Sequence, residues 1–273
     1  MKRIIPALIL VLAVVSAANP GDTIRNYIIP GMPGMGILGL AKDWETGNIW
    51  IGGADGDNNS RFAAMDPVTL DIVTSWVTYT DVYRGFDIGY GYEVGGKKYL
   101  VMTDQQSPFL KLIDPVDGSY DGSLPDYYAP GDVTEGCAVD WNTNNVYLCS
   151  YYDSDGVYYN GSSYSVFSTT SDGRFKGSAV GWGHIFLLRN GPYFDIDVYD
   201  LASGAFEESI SMGGFAGNSL IGLACGRENA AGDNESMFLL ATQYEVLYEI
   251  EVGDYVSGSS LERMTWGGIK SGF

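Results

Sequence analysis

The sequence is poor in the side chains that most metal, redox and nucleic-acid chemistry requires. It contains one histidine, His184, and three cysteines among 273 residues. A zinc site of the HExxH type needs two imidazoles and an iron–sulfur cluster held by cysteines alone needs four thiolates, so both are excluded. Lys and Arg number 15 against 34 Asp and Glu, and the net charge of −19 argues against binding to nucleic acid or to an anionic membrane surface.

Long hydrophobic runs are also scarce, and the longest is a short run near the start of the sequence. Two cations open residues 1–18, an apolar stretch follows from Ile4 to Val15, and small residues favour cleavage after Ala17 or Ala18. This stretch is short for a bilayer core of ~30 Å, and no later stretch reaches the ~18 apolar residues of a membrane span. The pattern predicts a signal peptide and a secreted protein, either extracellular or periplasmic.

Glycine and tyrosine, by contrast, are abundant at 37 and 20 residues, as expected for an all-β chain rich in turns. Residues 39–52 read GLAKDWETGNIWIG and residues 136–149 read GCAVDWNTNNVYLC, and they align without a gap. Weaker copies begin at Gly85, Gly177 and Gly222, at intervals of 41 to 51 residues. Repeats of roughly 40–50 residues with four short strands are typical of propeller blades.

These repeats predict an all-β fold, a five-bladed β-propeller with four-stranded antiparallel blades. The fifth copy lacks an outermost strand, and the strand-like run from Ile24 to Ile29 is predicted to supply it and close the ring. The predicted organisation is a signal peptide at 1–18, the propeller at 19–258 and a C-terminal tail at 259–273.

The pattern GxAxDxxTGNxW…DPxT resembles the repeat of secreted bacterial β-propellers of the YVTN and SMP-30-like type. The resemblance covers most of residues 24–252. It implies the fold and leaves function open, because propellers host unrelated activities.

Charged residues next to the repeat glycines form the first candidate ligand site. The residue before each repeat glycine is expected at the mouth of the central channel. Arg84, Glu135 and Lys176 come from consecutive blades, so they are expected to converge there. They would either bind a polar ligand or form an ion-pair network that holds the blades together.

Tyrosines concentrated in predicted loops form the second candidate. Exposed tyrosines give flat amphipathic contact area that suits sugars or protein partners. The alternative is that they pack between blades. These tyrosines are Tyr127, Tyr128, Tyr151, Tyr152, Tyr158, Tyr159 and Tyr193.

The sequence shows no convincing catalytic constellation, so the first hypothesis is a non-enzymatic protein that binds a protein, a glycan or a neighbouring subunit. The second is a carbohydrate-active hydrolase that uses the inner-strand carboxylates Asp87 and Glu135 as its acid and base pair. The third is a subunit of an extracellular surface layer or fibre. None of the three requires a cofactor.

A calcium loop is a further candidate, because Asp55, Asp57 and Asn59 have the D-x-D-x-N spacing that directs oxygens at one ion. Ser60 stands where such a loop has glycine, so a solvated hairpin loop is the alternative.

Two of the three cysteines, Cys137 and Cys149, lie in one predicted hairpin and are equidistant from Thr143. This spacing predicts that they face each other and form a cross-strand disulfide in an oxidising compartment. Turn-forming aspartates are predicted at Asp43 and Asp140, where DWxT precedes a tight turn.

The signal peptide predicts processing that can be measured directly. Expression of the full sequence in a secreting bacterial host should yield a chain that begins at Ala18 or Asn19, as measured by intact mass. A secreted chain that retains residues 1–18, or a chain found in the cytoplasm alone, would contradict the prediction.

Overall fold

The structure is a computed structural model that describes residues 19–28, 36–54, 60–78, 87–103, 108–128, 134–153, 155–167, 174–189, 194–212, 215, 220–228, 235–241 and 246–255. Twenty β-strands lie within these ranges. No helix in the described part of the chain has the length and apolar character needed to cross a membrane.

The strands form five four-stranded antiparallel sheets, which are the blades of a five-bladed β-propeller. Blade 1 consists of β2 Gly36–Lys42, β3 Ile49–Ala54, β4 Ser60–Met65 and β5 Ile72–Thr78. Blade 2 consists of β6 Ile88–Val94, β7 Lys97–Met102, β8 Phe109–Ile113 and β9 Tyr120–Pro125. Blade 3 consists of β10 Thr134–Asp140, β11 Asn145–Ser150, β12 Gly156–Tyr159 and β13 Tyr164–Phe167. Blade 4 consists of β14 Phe175–Gly181, β15 His184–Arg189, β16 Asp195–Asp200 and β17 Phe206–Ser211.

Blade 5 is assembled from both ends of the chain, in the order β1 Thr23–Ile28, β20 Val246–Gly253, β19 Glu235–Ala241 and β18 Leu220–Cys225. Strand β1 pairs antiparallel with β20, with Asn26 opposite Tyr248 and Ile28 opposite Val246. The prediction that an N-terminal strand closes the ring is therefore confirmed, one residue earlier at each end than expected.

The innermost strands β2, β6, β10, β14 and β18 start on one face of the propeller, called the upper face here, and end on the lower face. Tight turns join the strands on the lower face. Asp43 begins one of them, and its Oδ1 accepts N–H bonds from Glu45 at 2.9 Å and Thr46 at 3.2 Å. Asp140 accepts the N–H of Asn142 at 3.1 Å. These bonds confirm that both aspartates serve the turns.

Five apolar clusters fill the spaces between adjacent blades, one cluster at each interface. Successive residues of a strand point to opposite faces of its sheet, so each blade contributes to two clusters. In β2, for example, Leu40 packs against blade 5 and Ala41 packs against blade 2. Burial on both faces explains why the inner strands are apolar almost throughout.

The predicted disulfide is wrong, because Cys137, Cys149 and Cys225 are all free and buried. Strand pairing places Cys137 opposite Leu148, one position away from the expected register. A shift of one residue turns a side chain to the other face of the sheet. Cys137 therefore packs towards blade 2, while Cys149 packs towards blade 4.

Arg25 on β1 fastens the closing strand to its neighbours. Its Nη1 donates to the carbonyl of Val68 at 2.9 Å and its Nη2 donates to that of Pro67, in the β4–β5 turn of blade 1. Its Nε donates to the buried carboxylate of Glu249 on β20. Glu249 also accepts bonds from Arg227 at 2.7 Å and from Ser236 at 2.6 Å. The Arg25 side chain therefore joins β1, β20 and blade 1.

We expect Arg25→Ala to lower the free energy of unfolding by about 1–3 kcal/mol, because a buried carboxylate loses one of its partners. Arg25→Lys keeps the charge and loses the fork of donors, so it should lie between the alanine variant and the wild type. Urea unfolding measures the difference. Equal unfolding midpoints for all three proteins would contradict a fastening role for Arg25.

Candidate functional site

Glycines line the propeller axis where the inner strands approach most closely. A Cβ atom on Gly39 would lie 2.6 Å from the backbone N of Ile88, and one on Gly177 would lie 3.1 Å from the N of Gly222. Gly136 is similarly enclosed, with the N of Ser178 3.1 Å from its Cβ position. Blades 1, 3 and 4 therefore need glycine at this place because any side chain would meet a neighbouring backbone, and blade 5 has Gly222 there with a φ of 73°.

Blade 2 places Asp87 at the position that glycine occupies in the other four blades. Asp87 lies opposite Thr103, whose N donates to the Asp87 carbonyl at 3.0 Å, and the next pair is Ile88 with Met102. This β6–β7 pairing shows that the repeat position is Asp87, whereas the predicted alignment set Gly85 there. Arg84, which was predicted to lie at the channel mouth, is outside the described residues.

The Asp87 side chain binds the backbones of four blades. Its Oδ1 accepts N–H bonds from Leu40 at 3.3 Å and Ile88 at 2.9 Å. Its Oδ2 accepts them from Cys137 at 3.0 Å and Ser178 at 3.4 Å. Burial raises the pKa of Asp87 well above its ordinary value, and the four N–H donors act in the opposite direction. One carboxyl group thus replaces the hydrogen bonds that these inner strands lack at the axis.

The space around Asp87 is too small for a substrate. Asp87 is 1% exposed, and the cavity that it lines measures about 10 Å³. A neighbouring axial cavity lined by all five inner strands measures about 20 Å³. Each holds about one water molecule. The prediction that Asp87 faces an open funnel as a catalytic carboxylate is therefore wrong, because the inner strands close the axis around it.

Glu135 and Lys176 meet on the upper face, on the innermost strands of blades 3 and 4. Each occupies a β-bulge, where the register shifts on β10 and on β14. A bulge re-aims a side chain away from the regular alternation. The Lys176 Nζ lies 3.9 Å from the Glu135 Oε2. Burial raises the pKa of Glu135, and the nearby Lys176 ammonium opposes that shift.

Aromatic rings extend this cluster towards solvent. The Lys176 Nζ lies 5.0 Å and the Arg174 Cζ 5.5 Å from the centre of the Tyr151 ring. Tyr152 contacts Tyr151 edge to face at 5.1 Å and is 66% exposed. Tyr151, Tyr152, Arg174, Lys176 and Glu135 are called the upper-face cluster below. Arg174 was not predicted from the sequence, although it stands two residues before Lys176 and contacts the same ring.

Tyr127 and Tyr128 lie apart from this cluster, at the interface of blades 2 and 3. Tyr127 is 40% exposed and packs on Tyr164 at 5.4 Å. Tyr128 is buried, and its hydroxyl donates to the carbonyl of Asp155 at 2.6 Å. The prediction that Tyr128 is exposed for a ligand is therefore wrong, because its ring fills the space between two blades. Tyr193 lies outside the described residues.

The predicted calcium loop, Asp55, Asp57 and Asn59, also lies outside the described residues. Among the described ones, no group of three or more His, Cys, Asp and Glu side chains could hold a metal ion.

No known family model matches the chain, and neither does any curated protein. Among solved structures, it is similar to a chain of a nidogen/laminin complex at 14% identity and a TM-score of 0.53, with 78% of each chain covered. It is also similar to the tail fibre of Staphylococcus aureus phage P68 at 12% identity and a TM-score of 0.53, covering 90% of this chain and 55% of the fibre chain. The calcium-binding protein regucalcin from Agrobacterium tumefaciens gives 13% identity and a TM-score of 0.47 over 84% of this chain and 95% of that one. The first two similarities support the propeller fold and nothing finer.

Asp87→Gly would give blade 2 the residue of the other four blades. We expect it to lower the free energy of unfolding by several kcal/mol, at ~1–3 kcal/mol for each buried N–H that loses its acceptor. Urea unfolding measures this change. Asp117→Gly, at an exposed turn of the same blade, is the control and should change stability by less than about 1 kcal/mol. Similar effects for the two variants would refute the axial role.

Asp87 also predicts a pH dependence of known sign. A raised pKa means that the folded chain holds the proton more tightly than the unfolded chain does. The contribution of Asp87 to stability is then largest below the ordinary Asp pKa of about 3.9 and is lost as the pH rises towards the raised value. Asp87→Asn does not titrate, so the stability of wild type relative to this variant should fall between pH 4 and pH 8. A constant difference over that range would contradict the raised pKa.

Proposed function

We propose that this protein is a secreted, non-enzymatic propeller that binds a protein partner through the upper-face cluster. The observation that carries the proposal is the stacking of two cationic side chains, Arg174 and Lys176, on the ring of Tyr151 beside the exposed Tyr152. Tyr and Arg side chains are enriched at the positions that contribute most to the affinity of protein interfaces.

The charge of the cluster specifies what such a partner would present. Lys176 is already close to Glu135, whereas Arg174 is exposed and forms no ion pair with the carboxylates of the described residues. An arginine held against an aromatic ring is pre-oriented to bind a carboxylate through two parallel hydrogen bonds. The partner is therefore a segment with an Asp, Glu or C-terminal carboxylate and an apolar group that packs on Tyr152.

The fold is compatible with such a role, since a propeller of similar architecture occurs in the nidogen/laminin complex. Secretion rests on residues 1–18 of the sequence and belongs to the same proposal. Asp87 is enclosed at the axis, so the hydrolase alternative loses one of the two carboxylates proposed for it. This favours binding over catalysis.

Selection of a displayed random peptide library on the mature protein tests the proposal. We expect enrichment of peptides that combine a carboxylate with an aromatic or aliphatic residue. A variant carrying Tyr152→Ala and Arg174→Gln should bind the selected peptides at least about tenfold more weakly, because both changed side chains are exposed contacts.

The control carries Tyr120→Ala, which removes an exposed tyrosine from blade 2. This control should bind like the wild type, and both variants should keep the wild-type melting temperature. Equal loss in both variants, or the absence of any enriched peptide, would overturn the proposal.

A further inference from the structure

A wide cleft opens between blades 3 and 4 at the lower face, at the opposite end of the strands from the upper-face cluster. Its volume is about 860 Å³, within the range of roughly 300–1,000 Å³ that is usual for small-molecule sites. Blade 3 lines the cleft with the β10–β11 turn and with residues of β12 and β13, and blade 4 lines it with the β16–β17 turn.

Aromatic rings of blade 3 form the floor of the cleft. Tyr147 and Tyr158 pair across β11 and β12 with ring centres 5.6 Å apart and planes tilted by 31°. Phe167 contacts Tyr147 edge to face at 6.1 Å. Tyr147 and Phe167 are buried, whereas Tyr158 is half-buried and lines the cleft. The ring of Tyr158 therefore gives a ligand a fixed, flat surface to stack on, because its neighbours hold it from behind.

Oxygen atoms also line the rim. The buried Asp140 accepts the hydroxyl of Thr143 at its Oδ2 at 2.5 Å, and the half-buried Asp200 accepts the hydroxyl of Ser203 at its Oδ1 at 2.5 Å. Ser165 adds a third hydroxyl. The described lining residues include no Lys or Arg. The rim thus offers hydroxyls and the Asp200 carboxylate to a ligand, and the buried Asp140 adds a second negative charge beside them, in a chain of net charge −19.

We propose that this cleft binds a neutral oligosaccharide. The apolar face of a sugar ring stacks on a tyrosine, and its hydroxyls donate to carboxylate and hydroxyl oxygens of the kind found on the rim. An anionic ligand is repelled by Asp140 and Asp200 without any compensating cation in the described lining. The cleft shares no residue with the upper-face cluster, so this proposal stands independently of the partner proposed for that cluster.

Isothermal titration of the mature protein with neutral trisaccharides of glucose, mannose, galactose and N-acetylglucosamine tests the proposal. We expect at least one of them to bind, and trigalacturonate to bind more weakly than the neutral galactose trisaccharide. Tyr158→Ala should weaken binding about tenfold through loss of the stacking ring. The variant with Tyr152→Ala and Arg174→Gln should retain the wild-type affinity.

Ala202→Trp provides a blocking variant, because Ala202 is exposed in the β16–β17 turn that lines the cleft. Val116 occupies the same place in the corresponding turn of blade 2 and is 82% exposed, so Val116→Trp is the matched control. We expect the blocking variant to lose binding at least tenfold and the control to match the wild type, with unchanged melting temperatures. The proposal would be overturned if Ala202→Trp still bound, or if every neutral trisaccharide failed to bind at millimolar concentration. It would also be overturned if the cleft bound the cation choline instead of these sugars.

Discussion

The close approach of five inner strands to one axis is the constraint on which the rest of the structure depends. Strands this close direct backbone N–H groups at the axis, and glycine is needed wherever two backbones nearly touch. Asp87 solves both problems at once, since its carboxyl group fits the space left by the glycines and accepts N–H bonds from the strands around it. The same arrangement closes the axis around Asp87.

The two faces of the propeller then differ for reasons of chain geometry. Each inner strand starts at the upper face, where bulges on β10 and β14 turn Glu135 and Lys176 out of the regular alternation. At the lower face the strands are joined by short turns in which aspartates bind their own backbone. The upper face therefore carries re-aimed charged groups, whereas short turns stabilised by aspartates form the lower face.

Local signals explain how much of the fold could be predicted from sequence. Glycine before an inner strand and aspartate before a tight turn act within a few residues, so blades 1 and 3 were recognisable from their aligned repeats. Blade 2 was misaligned because Asp87 stands in place of the glycine and Gly91 adds a bulge within β6. The cysteine pairing failed for a similar reason, since the turn sets a register one position from the expected one. The cleft could not be predicted from the sequence, because its lining comes from turns and strands of two blades whose spacing depends on long-range packing.

Closure of blade 5 by β1 and β20 has a consequence for how the chain folds. The partners of β1 stand more than two hundred residues away from it in sequence, so the contacts that complete the ring are among the least local in the molecule. Such contacts form slowly because a long loop must close before they can contribute. Blades 1 to 4 are each built from consecutive strands, whereas β1, the first described strand, pairs with β20, the last described strand. Until β20 has been made, β1 lacks its partner from the same chain, and β20 of a second chain could pair with it instead.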